Sequence, residues 1–305
     1  MQQPLVSVII PSYNSAAFLP DSIESVLRQT YTQREVIVVD DGSSDNTADV
    51  IHPYLDRITF IAKANGGPAS ARNAGLRVAR GVFLGFLDAD DYWHEEKLDR
   101  QMAVMLSRPE VGLVACGLVA VTPDRAAIGE YLYRNYTDRE DFLRRLCGGN
   151  KVGGGSSALV RRSVLERVGM FDENLHGTED WDMWLRLALE ADVHFVEEPL
   201  VYVRERPDGV SSSANAERML ANEIKLLDKL FARPDLSFGA RDKARIYARR
   251  YLLAARTLKD VGEIGKAWTY HRKAVRMSTS ILLDPSYAKM ALLIFWRILP
   301  GGKRS

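Results

Sequence analysis

The chain has 305 residues, a formal net charge of +1 and 46% hydrophobic residues, which suits one large or two modest globular domains. Its two cysteines, Cys116 and Cys147, provide neither a disulfide framework nor the spacing of a metal site. The N-terminus lacks the basic start and apolar stretch of a signal peptide, and no run of residues is long enough to span a bilayer. We therefore expect a cytoplasmic protein.

Charge is distributed unevenly along the chain. From Gly239 to Ser305 there are fifteen Lys and Arg residues against four Asp and Glu, a net charge of +11, which leaves −10 for the rest. Such a split is typical of a basic segment that meets an anionic surface or partner.

The first 120 residues alternate between two apolar patterns. Short apolar, often β-branched runs predict strands near 5–10, 35–39, 58–61, 82–87 and 111–120. Apolar residues at helical spacing predict helices over 19–27 and near 44–55, 66–78 and 95–106. We therefore predict an α/β fold with a single Rossmann-like, mostly parallel sheet flanked by helices, whose ligands bind beyond the carboxyl ends of the strands.

Three of the predicted strands end in polar residues that can carry chemistry. These ends are Pro11–Asn14, Asp40–Ser43 and Asp88–Asp91. In a parallel sheet all three lie at one edge. Turn chemistry alone does not readily account for three such clusters.

The segment Asp88–Asp91 follows the most apolar of these strands. In an extended chain, residues two apart point to the same face, so Asp88 and Asp90 can present two carboxylates together. Hard divalent cations take oxygen ligands and often join protein carboxylates to substrate phosphates, which predicts a metal site. Asp is also a common turn residue, and a polar turn is the alternative.

The sequence after residue 148 has a mixed part followed by a helical part. Strand-like runs at 158–160, 193–196 and 201–203 accompany helices at 163–168 and from Glu179 onward. Thr178 is the predicted cap of the second of these helices, and Trp181 and Trp184 lie on its apolar face. Further helices are predicted near 214–231, 240–259, 263–277 and 285–299. We therefore predict an α/β domain over 1–213 and a basic helical extension over 214–305.

Five short motifs occur in a fixed order between about residues 4 and 205. They are Val8–Asn14, Val38–Asp45, Asn65–Asn73, Leu87–Asp91 and Thr178–Trp181. Together they resemble the family-2 glycosyltransferases, which have the glycosyltransferase-A fold; no single motif is decisive, but five in order are specific. The Gln-x-x-Arg-Trp element of processive relatives does not follow the Glu-Asp motif, so the resemblance implies a non-processive enzyme.

The resemblance implies a nucleotide site at the ends of the first two strands. Pro11, Tyr13 and Asn14 should shape the floor of a base pocket, with Tyr13 offering a flat face, although an aromatic residue that closes the sheet edge is the alternative. Asp41 should accept a hydrogen bond from a ring N–H, which favours UDP- or dTDP-linked sugars, while Asp40 braces the loop.

The resemblance also implies residues for the diphosphate and the cation. Arg72 and Asn73 lie on a helix opened by glycines and should meet the diphosphate, although Arg72 by itself would be an ordinary surface residue. Asp90 should bind Mg²⁺ or Mn²⁺ directly, while Asp88 supports the ribose or the waters of the metal. The cation would neutralise charge on the departing diphosphate.

A general base is expected in the first turn of the helix that begins at Glu179. The helix dipole favours an ionised carboxylate there, as a base requires. Asp180 is the candidate and Glu179 the alternative, because adjacent helical residues point about 100° apart. Ordinary first-turn helix chemistry would also place acids here. The resemblance implies direct displacement with inversion by a hexosyl- or deoxyhexosyltransferase.

Other functions remain open from the sequence. A nucleotidyltransferase would use a related sheet, but such enzymes carry a Gly-rich loop with a basic residue where this chain has Ser12–Ser15. A non-catalytic sugar-nucleotide binder would be favoured by loss of Asp90 or Asp180, and both are present. No G-x-G-x-x-G follows the first strand, which disfavours a dinucleotide oxidoreductase, and the acidic sheet edge disfavours nucleic-acid binding.

The expected acceptor is a glycan or a lipid-diphosphate-linked intermediate of cell-envelope or exopolysaccharide synthesis. The basic C-terminal region fits peripheral contact with the anionic inner face of a membrane. The apolar run Met290–Trp296, flanked by Lys289 and Arg297, is too short to span a bilayer. It would lie in the membrane interface or pack on its own domain.

Overall fold

The computed structural model describes residues 3–205 and 215–283, apart from 235 and 237. The chain divides into two compact units, Met1–Arg206 and Pro207–Ser305. The predicted domain boundary at 213/214 lies outside the described residues, and so does the predicted helix at 285–299 with its run Met290–Trp296.

One mixed sheet organises the described part of the first unit. Its strands are β1 (Val6–Ser12), β2 (Arg34–Asp40), β3 (Thr59–Ala62), β4 (Phe83–Phe86), β5 (Tyr92–Trp93), β6 (Val111–Val121), β7 (Ala127–Tyr131), β8 (Leu159–Arg161) and β9 (Asp192–Arg204). They lie in the order β3-β2-β1-β4-β8-β6-β9-β5, and β7 pairs with β6. β1 to β4 are parallel, as are β6 and β9, whereas β5, β7 and β8 run antiparallel to their neighbours.

Helices of the first unit connect these strands. They are α1 (Leu19–Leu27), α2 (Thr47–Ile51), α3 (Pro68–Val78), α4 (Lys97–Ser107), α5 (Arg139–Cys147), α6 (Arg162–Val168) and α7 (Glu179–Glu190). The predicted α/β class, with a mostly parallel sheet flanked by helices, is confirmed. Ile9, Ile10 and Val36–Val39 are buried, as expected for central strands of a sheet covered on both faces.

A glycine sets the distance between α3 and the sheet. A Cβ added at Gly75 would lie 2.5 Å from Cγ2 of Ile9, so only glycine lets the helix approach β1 this closely. This close packing seats the earlier residues of α3, including Arg72 and Asn73, against the sheet.

The structure differs from the sequence-based prediction at several elements. The strand-like runs at 193–196 and 201–203 belong to one strand, β9, and β5, β7 and α5 were not predicted. The helix predicted to reach about 55 ends at Ile51 and continues as a 3₁₀ turn over His52–Tyr54, since Pro53 has no N–H to donate to an α-helical bond. Thr178 precedes α7 as predicted, but its hydroxyl makes no capping hydrogen bond.

The helix α7 presents its aromatic residues to the core, as predicted. Trp184 is fully buried and its ring lies 6.2 Å from that of Phe86 and 6.4 Å from that of Phe171. Trp181 is also buried and donates its indole N–H to the carbonyl of Leu146 at 2.7 Å. The two tryptophans therefore anchor the helix that carries the predicted catalytic acids.

The described part of the second unit is helical. It contains α8 (Ala216–Phe231), α9 (Ala240–Asp260), α10 (Ile264–Met277) and a 3₁₀ turn (Thr279–Leu283), so three predicted helices are confirmed to within about two residues. The small side chains that let α9 and α10 pack closely include Ala248, Ala255, Ala267 and Ala274. Among the described residues, no helix has the length and apolar character needed to cross a membrane.

Candidate active site

The carboxyl ends of β1, β2 and β4 meet at one edge of the sheet, as predicted. Ser12 pairs with Asp40, so the first two strands end level with each other. β4 pairs with β1 up to Ile9 and then leads into Asp88. The three polar clusters at these strand ends are therefore neighbours.

The end of β1 forms an exposed floor beside the end of β2. Pro11 is half-buried in the strand, whereas the Tyr13 side chain is 52% exposed and so does not plug the sheet edge. Asn14 has a left-handed backbone (φ 48°), and its N–H donates to Oγ of Ser43 at 2.9 Å while its Oδ1 accepts from the N–H of Ser44 at 2.8 Å. These bonds lock the two strand ends together and leave the Tyr13 ring open to a ligand.

The carboxylate of Asp41 is buried and holds the loop that precedes α3. It accepts hydrogen bonds from the backbone N–H of Gly66 at 3.0 Å and of Gly67 at 2.7 Å, and it pairs with Nζ of Lys63. Asp40 accepts hydrogen bonds within its own loop, as predicted. Asp41 is thus at the predicted position, and Lys63 is a cation in the pocket that sequence reasoning missed.

Arg72 is buried between two carboxylates. Its Nη2 donates to Oδ1 of Asp88 at 2.7 Å, and its Nη1 donates to Oε1 of Glu179 at 2.8 Å. Burial opposes the charge of Arg72, but the two carboxylates outweigh that effect and raise its pKa. Arg72 is therefore not an ordinary surface residue; it joins the acid segment after β4 to the first turn of α7.

Asn73 has a role different from the predicted nucleotide contact. Its amide donates to the carbonyl of Phe171 at 3.0 Å and to Oε1 of Glu173 at 2.8 Å, and its Oδ1 accepts from the N–H of Phe171 at 2.9 Å. The side chain is buried and both amide hydrogens are used. We therefore assign Asn73 to positioning the turn at 171–173.

The segment Asp88–Asp91, here called the acid turn, is fixed by Ser156. The N–H of Asp88 donates to Oγ of Ser156 at 3.1 Å, and that hydroxyl donates to Oδ2 of Asp91 at 2.6 Å. Asp91 is buried, and burial together with the charges of Asp88 and Asp90 raises its pKa well above the usual range. Asp91 is thus a bracing residue, whereas Asp88 is about one-third exposed and Asp90 is half-buried.

The acid turn lies against a glycine-rich segment, 153–157. A Cβ added at Gly155 would lie 3.4 Å from Nη2 of Arg72 and 3.6 Å from Oδ1 of Asp88. Gly153 has a left-handed backbone (φ +89°), and Ser156 follows in a 3₁₀ turn. The glycine run is visible in the sequence, but nothing local indicates that it packs against Asp88.

The two acids in the first turn of α7 have different surroundings. Glu179 is buried and pairs with Arg72, whereas Asp180 is half-buried and its Oδ2 accepts from Nδ2 of Asn150 at 3.2 Å. Burial and the neighbouring charge of Glu179 raise the pKa of Asp180 to about 7. A carboxylate that titrates near neutrality suits a general base.

A divalent cation fits this edge only together with a ligand. Within the ranges that the structure describes, no three His, Cys, Asp or Glu side chains are arranged to hold a metal ion. Asp88 and Asp90 nevertheless offer carboxylate oxygens on one turn. Mg²⁺ is usually held by one or two carboxylates together with substrate phosphates, so this donor set fits a cation that binds with a diphosphate.

The architecture is that of the glycosyltransferase-A type. Residues 7–169, more than half of the chain, match the family model of Glycosyl transferase family 2. The chain therefore belongs to glycosyltransferase family 2, as the sequence motifs predicted.

Curated relatives are similar over the first two-thirds of the chain. EpsJ of Bacillus subtilis, an uncharacterized glycosyltransferase, is 33% identical over 218 residues, which are 68% of this chain and 63% of EpsJ. An uncharacterized glycosyltransferase of Rickettsia prowazekii is 32% identical over 66% of this chain and 64% of its own length. The chain thus spans a little under two-thirds of these two relatives. TuaG of Bacillus subtilis, a putative teichuronic acid biosynthesis glycosyltransferase, is 32% identical over 61% of this chain and 72% of TuaG.

Solved structures share the fold at low sequence identity. S. aureus TarS in complex with UDP has a TM-score of 0.64 and 20% identity, covering 94% of this chain and 87% of the TarS chain. The mannosyltransferase PcManGT of Pyrobaculum calidifontis, in complex with GDP-Man and Mn²⁺, has a TM-score of 0.59 and 20% identity over 98% of this chain and 89% of its own. At this identity the likeness establishes the fold.

Proposed function

We propose that this protein transfers one sugar, with inversion, from a nucleoside diphosphate sugar to a hydroxyl of a glycan or lipid-diphosphate-linked acceptor. The observation that carries the proposal is the chain of contacts Asp88–Arg72–Glu179, which ties the acid turn to the helix that bears Asp180. These contacts support a single site in which the acid turn would hold the cation and Asp180 would act as the general base. The name of TuaG, which refers to teichuronic acid biosynthesis, supports cell-envelope or exopolysaccharide synthesis as the setting.

The donor nucleotide would lie on the floor formed by the ends of β1 and β2. The exposed ring of Tyr13 would stack on the base, with Pro11 and Asn14 shaping the pocket around it. Asp41 would accept from a ring N–H in addition to its bonds with the loop before α3, which favours UDP- or dTDP-linked sugars. S. aureus TarS forms complexes with UDP and with UDP-GlcNAc, in line with this choice.

Asp90 and Asp88 would hold Mg²⁺ or Mn²⁺ against the diphosphate of the donor. The bound cation would neutralise the charge that gathers on the leaving diphosphate. Arg72 keeps the carboxylate of Asp88 in place, and the same guanidinium would also meet the diphosphate. The mannosyltransferase structure that contains Mn²⁺ supports a metal of this kind in the fold.

Asp180 would act as the general base. Its carboxylate takes the proton of the acceptor hydroxyl while that oxygen bonds to the anomeric carbon of the donor sugar. The bond between the anomeric carbon and the diphosphate oxygen breaks, and its electron pair leaves with the diphosphate. Glu179 is the alternative base, but its side chain is buried and its Oε1 is paired with Arg72, which favours Asp180 for this role.

A screen of nucleotide sugars tests this function. Nucleoside diphosphates and their sugars, each with Mn²⁺, are added in a thermal-shift assay, and ligands that bind the folded protein raise its melting temperature. Release of nucleoside diphosphate from the strongest ligands, with water as the acceptor of the sugar, is then measured for the wild type, Asp90→Ala and Asp180→Asn. We expect release by the wild type only. Pyrophosphate release from a nucleoside triphosphate and sugar phosphate would indicate a nucleotidyltransferase, and binding without turnover would indicate a non-catalytic binder.

The helical unit offers a surface for an anionic membrane, and we propose peripheral contact with the inner face through it. Arg241, Arg245, Arg249 and Arg256 are exposed on α9, and within the described ranges none of them forms an ion pair. At 100° and 1.5 Å per residue they lie within an arc of about 80° along about 22 Å of helix. The exposed Leu253 borders this row.

Sedimentation with vesicles tests the membrane contact. Basic residues near an anionic surface contribute about 1 kcal/mol each, so changing Arg241, Arg245 and Arg249 to Gln should weaken binding on the order of 100-fold. The vesicles are phosphatidylcholine with and without phosphatidylserine. The matched control changes Arg28, Arg144 and Arg145 to Gln, three exposed arginines of the first unit, and should bind like the wild type. Equal losses in both variants would rule out a specific surface on α9.

A further inference from the structure

Arg204, the last residue of β9, contacts the acid turn from the strand side. Its Nη1 donates to the backbone carbonyl of Asp90 at 2.7 Å, and its own backbone N–H donates to Oδ1 of Asp91 at 3.2 Å. Its Nη2 pairs with Oδ2 of Asp21 on α1 at 2.5 Å. The side chain is 1% exposed, so these bonds are made away from solvent.

Aromatic rings hold this guanidinium in one place. Its central carbon lies 5.1 Å from the centroid of the Phe18 ring and 4.8 Å from that of Tyr92. Tyr92 in turn stacks on Tyr202 of β9, with centroids 4.6 Å apart. A planar guanidinium group packed against two aromatic rings has little rotational freedom, so its N–H groups donate in fixed directions.

The backbone of the acid turn is held at every carbonyl. The carbonyl of Asp88 accepts from the N–H of Asp91 at 3.0 Å, and the single hydroxyl hydrogen of Ser22 is shared between the carbonyls of Ala89 and Asp91, which lie 2.8 and 2.6 Å from its Oγ. Among these bonds, only the one to the carbonyl of Asp90 has a charged donor, the guanidinium of Arg204. Hydrogen bonds from charged donors are stronger than those between neutral groups. That bond fixes the peptide that follows Asp90 and hence the direction of its Cα–Cβ bond.

We infer that Arg204 is a positioning residue that orients Asp90 toward the cation bound with the donor. This inference rests on the proposed function, in which Asp90 is a metal ligand. Residues that orient metal ligands typically change metal affinity by 10- to 100-fold when they are replaced. Asp21 is shared, because its other carboxylate oxygen pairs with Arg125, and the direct link between Arg204 and Asp90 is the hydrogen bond to the Asp90 carbonyl.

The experiment measures Mn²⁺ affinity directly, from the electron paramagnetic resonance signal of free Mn²⁺, with and without UDP. The variants are Arg204→Met, Arg204→Lys and Asp90→Ala. The matched control is Arg161→Met, because the Arg161 guanidinium also donates to backbone carbonyls, at 3.1 and 2.9 Å, and lies 5.2 Å from the ring of Phe83. Thermal unfolding of each variant is recorded alongside.

Arg204→Met should weaken Mn²⁺ binding by 10- to 100-fold, whereas Arg161→Met should lose thermal stability with unchanged Mn²⁺ affinity. Arg204→Lys keeps the buried charge but cannot reach Asp90 and Asp21 together, so it should fold and show an intermediate affinity. Wild-type affinity in both Arg204 variants, with binding lost in Asp90→Ala, would overturn the inference and leave the metal site intact. Unchanged binding in Asp90→Ala would instead refute the metal site, and with it the role of Arg204.

Discussion

Replacing Arg72 with Met should destabilise the first unit strongly. Arg72 is 6% exposed and balances Glu179, whose side chain is also 6% exposed. Without the cation the carboxylate of Glu179 is buried and uncompensated, and breaking a buried pair from one side costs about 3–5 kcal/mol. The pair with Asp88 adds little, because that carboxylate is about one-third exposed to water.

The melting temperature converts this cost into a measurement. The first unit covers residues 1–206. For a unit of that size 1 kcal/mol corresponds to about 2–4 °C, so Arg72→Met should melt about 6–20 °C below the wild type by circular dichroism. Adding Glu179→Met should restore part of the loss, because no unpaired buried charge remains.

An exposed ion pair provides the control for this prediction. Arg145 pairs with Asp141 at 2.7 Å on the surface of α5, where both side chains are at least half exposed. Such a pair contributes about 0.3–0.5 kcal/mol, so Arg145→Met should melt within about 2 °C of the wild type. An Arg72→Met protein that also melts within this margin would show that the buried pair is not a structural link between the acid turn and α7.

Three further predictions concern the site itself. Because Asp180 must be ionised to accept a proton, kcat/KM should rise with pH and level off above about pH 7; a profile that is flat from pH 5 to 9 would contradict the base assignment. Because the pKa of Asp180 is raised, the folded protein binds this proton more tightly than the unfolded chain does, which stabilises the fold at low pH. This contribution to the free energy of unfolding is lost as the pH rises from about 4 to about 7. The melting temperature of Asp180→Asn relative to the wild type should therefore increase across that window and then stay constant. Tyr13→Ala removes an exposed stacking surface worth about 1–3 kcal/mol per base, so the Kd for the nucleoside diphosphate, measured by calorimetry, should rise about 5- to 150-fold with little change in melting temperature, unlike a core residue.

Local patterns were sufficient to predict the sheet and the edge where the site lies. Each of these predictions used only a few consecutive residues: the β-branched run of β1 or β2, and the polar residues that follow it. The parallel order then follows from the alternation of strands with helices. This is why Asp41, Asp88 and Asp90 were predicted together.

The contacts within the site depend on residues far apart in the chain, which no local pattern relates. Arg72 and Glu179 are 107 positions apart, and Asn73 meets Phe171 across 98. Motif order predicted that Arg72, Asn73 and Glu179 lie at the site. It assigned Asn73 to the diphosphate, whereas both amide hydrogens of Asn73 are used by Phe171 and Glu173. Arg204 and Ser156 received no role, because neither forms a pattern with its neighbours in sequence.

The structure was also needed to distinguish the roles of Glu179 and Asp180 in the first turn of α7. Adjacent positions in a first helical turn are equivalent for the helix dipole. Only the burial of Glu179 against Arg72, with Asp180 turned toward Asn150, separates a structural acid from a candidate base.

Anomalous diffraction from a crystal soaked with Mn²⁺ and UDP or dTDP would locate the cation relative to the acid turn. We expect a manganese peak beside the carboxylate of Asp90 and next to the diphosphate, with the base against Tyr13. A manganese peak remote from the acid turn, or nucleotide density at this edge without a peak, would contradict this expectation.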